Sequence, residues 1–184
     1  MMDIYDYLKM DHEKVNHLFK LFEKTSLLKR QHEIVTLISK ELLVHAHSEQ
    51  ETFYKVLAQH PLTSDIASHG KKEHLEIEEQ INIIDNAWGS EQWPEAVLKL
   101  KEIVEHHVKE EEGEIFRKAK KVISDKDAII IKEKMHYLKG MFLVWLDKKA
   151  HEKEASVKNK MEKHPIRPAS KTFISNHSRT NGPH

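Results

Sequence analysis

EHHVKEEEGEIFRKA, residues 105–119, sets two histidines and five glutamates into a run of strong helix formers. The same pattern stands 62 residues earlier, where HAHSEQETFYK at 45–55 aligns without a gap on HVKEEEGEIFR at 107–117. At that offset His12 also falls on His74, and the intervals from His12 to His45 and from His74 to His107 are both 33 residues. A two-helix unit is used twice. Two such hairpins packed antiparallel make an up-down four-helix bundle, so the chain reads as all-α.

Helical periodicity separates buried from exposed histidines, because an inward residue lies on an apolar stripe with steps of three and four. One stripe runs through Leu8, His12, Val15 and Phe19, and a second through Leu42, His45, Glu49, Phe53 and Val56. A third passes Gly70, His74, Ile77 and Ile81, and a fourth Val104, His107, Glu111 and Ile115. Each helix therefore carries one inward histidine, and the second and fourth add a glutamate one turn on. His17, His69 and His106 step onto charged neighbours and read as surface, and His47 lies on a mixed face.

Proline and glycine, five of each, leave long uninterrupted windows. Breaks near 24–29, at HPLTSD (60–65), at WGSEQWP (88–94) and at 124–127 predict helices over 3–23, 30–59, 65–87, 94–122 and 126–150. Thr63 or Ser64 is placed to cap the third helix and Pro94 to sit in the first turn of the fourth. The domain reading is a metal-binding bundle over 1–123, a docking helix over 124–150, and a basic, histidine-containing tail over 151–184 that is expected to be flexible.

Composition narrows the chemistry. Acidic and basic residues balance at 30 each, which leaves no overall basic field for nucleic acid or an anionic membrane. No stretch approaches the roughly 20 apolar residues of a membrane span, and the N-terminal residues lack a secretory apolar core, so a cytoplasmic protein is expected. Cysteine is absent, so any metal must be held by nitrogen and oxygen. Two inward carboxylates without a lysine or arginine on their stripes require a compensating charge. Four imidazoles and two bridging carboxylates at one level suit two iron ions better than a single tetrahedral zinc.

At these residues the chain resembles the hemerythrin-like family, whose HHE cation-binding domain carries D-H, H-x3-E, E-H and H-x3-E-E in four successive helices. The matching residues are Asp11-His12, His45 with Glu49, Glu73-His74, and His107 with Glu111-Glu112. The resemblance implies an oxo- or hydroxo-bridged di-iron centre that binds dioxygen or a related small molecule. Two departures stand out. Glu78 occupies the position of a second third-helix histidine in the respiratory hemerythrins, which leaves a coordination position to water or to Glu78. Lys55 and Arg117 replace a proline that commonly ends the two H-x3-E helices, so those helices should run on.

An imidazole ligand passes its outer N–H to a second group, and Asp11, Glu73, Glu112 and Gln50 are candidates for that role. The fifth helix is apolar through Ile130, Ile131, Met135, Leu138, Phe142 and Trp145, and shows no ligand pattern. It should dock on the bundle or on a protein partner, for which the tail is the other available segment. The functional expectation is a di-iron protein that binds or senses dioxygen, nitric oxide or iron. The alternative is a di-iron redox enzyme acting on oxygen, peroxide, iron or damaged iron centres.

Overall fold

A computed structural model describes residues 2–163, with side chains through Glu152. Among the described residues there are five long helices and no strand. They are α1 (Ile4–Lys24), α2 (Leu28–Glu49), α3 (Ser64–Ala87), α4 (Trp93–Glu110) and α5 (Asp125–Lys163). One compact unit spans Met1–Trp145 and contains α1 to α4 with the first part of α5. A second begins at Leu146, and its described part is helical to Lys163. No described helix is long and apolar enough to cross a membrane.

Local chemistry sets the boundaries. Asp3 accepts from the Asp6 amide at 3.0 Å, and the Asp6 side chain returns a bond to the Asp3 amide, a capping box that opens α1. The Ser124 hydroxyl accepts from the Asp127 amide at 3.2 Å and opens α5 in the same way. Pro94 sits in the first turn of α4, where its missing N–H leaves no bond unmade. Gly89 takes a φ of 82° in the turn between α3 and α4, a conformation that side chains with a Cβ disfavour. Thr63 precedes α3 as expected, but its hydroxyl donates backward to the Leu57 carbonyl at 2.7 Å. It closes the preceding helix instead of capping the next.

Two differences from the periodic reading concern how helices continue. A π-helical turn, Gln50–Tyr54, follows α2 directly and leads into Lys55–Leu57, and a second, Glu111–Ile115, follows α4 and leads into Phe116–Ala119. The helices run on, as the absence of proline implies, but each gains one residue in a wide turn. That extra residue rotates the stripe. After Glu49 a plain α-helix would bury Val56, whereas here Leu57 is fully buried and Val56 only partly. The other difference is α5, which extends past residue 150 to Lys163 because HEKEASVKNKMEK contains no helix breaker before Pro165. The expected flexible tail over 151–184 is thus helical over 151–163, and its remainder lies outside the described residues.

The core divides into two apolar clusters. One gathers Tyr5, Leu8, Phe53, Phe116, Ile131 and Met135, so α5 helps to form that end of the unit. The other gathers Val15, Phe19, Phe22, Ile38, Ile81 and Leu100, and Trp93 is fully buried within it. Along α1 the change from the first cluster at Leu8 to the second at Val15 passes through Asp11 and His12. A polar layer therefore lies between two hydrophobic ones. Of the expected apolar arc of α5, Ile131 and Met135 are buried, while Ile130 and Trp145 are exposed.

The π-turn register has a measurable consequence. Leu57→Ala should lower unfolding free energy by about 2–5 kcal/mol, the usual range for emptying a packed leucine site. Val56→Ala should lower it by roughly 1 kcal/mol or less. Urea denaturation of the two variants checks the order, and a larger loss at Val56 would mean that the stripe continues in plain α register.

Candidate metal centre

Six side chains meet in the polar layer: His12 from α1, His45 and Glu49 from α2, His74 from α3, and His107 and Glu111 from α4 and the turn that follows it. All six are buried, and Glu49, His74 and Glu111 have no exposure. Their inner atoms converge. His12 Nε2 is 3.2 Å from Glu111 Oε2, His45 Nε2 is 3.4 Å and His74 Nε2 3.3 Å from Glu49 Oε2, and His107 Nε2 is 3.8 Å from Glu111 Oε2. His74 Nε2 and His107 Nε2 face each other at 3.2 Å. The donors form two overlapping groups, His45 with Glu49, His74 and His107, and His12 with His45 and Glu111. Within each group the ligand atoms lie within 4.8 Å of one another.

The outer atoms are held as regularly. His45 Nδ1 meets Asp11 Oδ2 at 3.1 Å, and 62 residues on His107 Nδ1 meets Glu73 Oε2 at 2.9 Å. His12 Nδ1 meets Glu112 Oε1 at 2.8 Å, and His74 Nδ1 meets the Gln50 amide at 3.1 Å. A carboxylate can only accept, so Nδ1 of His12, His45 and His107 carries the proton in these bonds. The amide of Gln50 can serve either role by a half-turn. Asp11 and Glu73 adjoin a ligand in sequence, yet each reaches across to the neighbouring helix rather than along its own.

The electrostatics follow from burial and partners. Burial works against a charged His45, but its bond to Asp11 and the neighbouring Glu49 carboxylate outweigh that and push it up to about 10. Burial also works against a charged His107, which the bond to Glu73 reverses, leaving it raised. For His74, burial and the neighbouring imidazoles act together and hold it well below the usual range, so it is a neutral imidazole. Burial pushes the Glu49 carboxyl up, and Glu111 and His45 more than offset this, so it is lowered and ionised.

The arrangement fits a bound cation. Buried polar atoms are normally hydrogen-bonded, yet His12 Nε2, His45 Nε2, both carboxylate oxygens of Glu49 and Glu111 Oε2 have no hydrogen-bond partner. These atoms all belong to the six converging side chains. Positive charge between them would satisfy the orphaned lone pairs together and compensate the two carboxylates.

Three contacts escaped the periodic reading. Lys139, from α5, donates to both Asp11 oxygens at 2.6 and 2.7 Å, so the fifth helix reaches the group that orients His45. Tyr54 donates to Glu111 Oε1 at 3.1 Å, and burial followed by the Glu111 charge raises its phenol well above the ordinary value. Gly70 makes room for that phenol, because a Cβ there would come within 2.4 Å of its oxygen. Glu78 is partly buried and joins neither group; its neighbour Ile77 lines the small cavity beside the histidines. His17 and His47 are exposed, and His47 stacks on Phe142 with ring centroids 4.1 Å apart.

A family model described as Hemerythrin HHE cation binding domain matches residues 3–119. A DNA nickase from Nostoc sp. is 30% identical over 123 residues, an alignment covering 62% of this chain and 33% of that protein. The chain thus spans about a third of that relative's length. Among solved structures, a hemerythrin HHE cation binding domain-containing protein from Mycobacterium kansasii matches with a TM-score of 0.72 at 19% identity, covering 82% of this chain and 93% of that one. That likeness shows the shared helical fold.

His45→Ala and His107→Ala should each remove most of the bound metal, whereas His17→Ala should leave it unchanged. Asp11→Asn should weaken metal affinity by about 10–100-fold, the usual effect of losing an orienting partner. Metal analysis after dialysis against a graded chelator measures all four variants. Equal losses from His17→Ala and His45→Ala would show that the layer is not the binding site.

Proposed function

This chain belongs to the hemerythrin HHE cation binding domain family, and from that membership we propose that His12, His45, Glu49, His74, His107 and Glu111 hold two iron ions at which dioxygen or nitric oxide is bound or sensed. The two ions, when bound, would supply the redox couple and the affinity for a diatomic. The protein supplies the container. The two donor groups sharing His45 support a pair of ions over one.

The observation that carries the small-ligand reading is a cavity of about 20 Å³ beside the histidines, lined on its far side by Val15, Leu42, Ile77, Val104 and Val108. A space of roughly 10–15 Å³ holds one water, so this cavity suits a molecule of two heavy atoms with little polarity. An open cleft runs outside it, and His12, Val104 and Val108 line both spaces. These three side chains border both spaces, so changes to them alter access between the two. The alternative, a di-iron redox enzyme acting on oxygen, peroxide, iron or damaged iron centres, shares this chamber for oxygen and peroxide, and what favours binding is the absence of room for a further reactant beside them. Strand cleavage is said of the Nostoc relative, of whose length this chain spans about a third.

Anaerobic reconstitution should load about two irons per chain, and the reduced protein should respond to nitric oxide with a saturable change in its visible and paramagnetic spectra. Val108→Phe should keep the iron and slow that response severalfold, and Val108→Ala should speed it. One zinc per chain in place of iron, or two irons indifferent to both nitric oxide and dioxygen, would refute the proposal.

A further inference from the structure

Outside the buried centre, α3 and α4 carry another pair of H-x3-E spacings, His69 with Glu73 and His106 with Glu110. Each pair is displaced along its helix from the buried set, so it faces outward while remaining next to it. The four side chains meet across the two helices. His69 Nε2 lies 2.9 Å from Glu110 Oε2 and 3.7 Å from Glu73 Oε1, and His106 Nε2 lies 3.3 Å from Glu110 Oε1 and 4.0 Å from Glu73 Oε1. The two histidines are exposed, Glu110 is partly covered, and Glu73 is 94% buried with a relative exposure of 6%.

Exposed histidines beside glutamates often form nothing more than weak ion pairs, so the decisive group is Glu73. Its Oε2 accepts from His107 at 2.9 Å, whereas its Oε1 is buried and has no hydrogen-bond partner, although it faces His69 and His106. An unsatisfied carboxylate oxygen at such a position calls for a cation or a strong donor. Tetrahedral bonds of 2.0–2.2 Å from nitrogen and oxygen place neighbouring ligand atoms about 3.3 Å apart. His69, Glu73 and Glu110 each offer an atom within 4.8 Å of the others, and His106 stands at the edge of that group, facing the other oxygen of Glu110. A shallow depression beside Glu73 and His106 is bordered by Glu76 and by Glu102, the latter paired with Lys99 at 3.1 Å, so Glu76 adds the further negative charge there.

We propose that His69, Glu73 and Glu110, with His106 at their edge as a further donor, form a second, solvent-accessible site for one divalent transition-metal cation, set back to back with the buried centre through the carboxylate of Glu73. Imidazole with carboxylate suits zinc, ferrous iron or manganese, and the open face allows exchange with solvent. Glu73 gives one oxygen to each side: Oε2 orients His107, and Oε1 coordinates the outer ion.

Zinc is the probe, because it is redox-silent and readily told apart from iron. The metal-loaded full-length protein is dialysed against micromolar zinc, and both metals are counted by mass spectrometry. One zinc per chain is expected beyond the resident metal. The double variant His69→Ala/His106→Ala should bind zinc at least tenfold more weakly and retain the resident metal, since neither histidine is among the six buried donors and Glu73 keeps its bond to His107. Glu110→Gln alone should weaken zinc with the same selectivity. Equal zinc uptake by the wild type and the double variant would place the ion elsewhere, on the tail histidines for example, and would overturn the site. So would the absence of zinc beyond the resident metal.

Discussion

Two carboxyl groups with no exposure, Glu49 and Glu111, sit between two apolar clusters, and the rest of the structure answers to that constraint. Desolvating a carboxylate without a partner is strongly unfavourable. No lysine or arginine forms an ion pair with either of them among the described contacts, and their nearest cationic partners are histidines. Imidazoles alone leave both Glu49 oxygens and Glu111 Oε2 without hydrogen bonds. The layer is therefore built for a cation, and the outer carboxylates Asp11, Glu73 and Glu112 fix the rings that would share it.

The pseudo-twofold repeat explains why the outer contacts come in matched pairs, and its breaks explain the asymmetry. At the 62-residue offset Asp11 corresponds to Glu73 and Gln50 to Glu112, and each partner meets the equivalent histidine. Tyr54 corresponds to Phe116, which lacks the hydroxyl, and Gly70, which accommodates that hydroxyl, corresponds to Leu8. One inner carboxylate consequently has a phenol donor and the other does not: Glu111 Oε1 is satisfied, while Glu49 Oε1 is bare. The two halves of the layer are thus chemically distinct, with the bare carboxylate in the half that also holds the neutral His74.

The bundle and the six inward residues were legible in the sequence because helical periodicity is a signal spread over many residues, and two histidine-glutamate stripes 62 residues apart reinforce each other. The π turns were not legible, since one inserted residue leaves no compositional mark and shows only as a change of buried partner from Val56 to Leu57. Asp11 and Glu73 carried a family motif, but a same-helix stripe cannot tell that they bond to the adjacent helix. Lys139 lay deepest from view. It stands in a helix whose spacing shows no ligand pattern, and its partner is 128 residues away.

Lys139 changes what the fifth helix is for. In the first unit it contributes Ala128, Ile131 and Met135 to one apolar cluster, which by itself would make it a cover. Its ammonium also neutralises Asp11, whose carboxyl is pushed up by burial and held down overall by His45 and Lys139. Asp11 in turn fixes the Nδ1 proton of His45 and aims Nε2 at Glu49. Tyr7, on α1, adds a bond of 2.9 Å to His136 and lies under the Lys139 ammonium, so the helix is tied to α1 at Asp11 and one turn before it. A contact chain of this kind is reciprocal: whatever holds His45 in its ligating orientation favours the docked helix, and whatever loosens the helix frees Asp11 and with it the ring. The fifth helix is in this sense part of the centre's framework, joined to it by one buried ion pair.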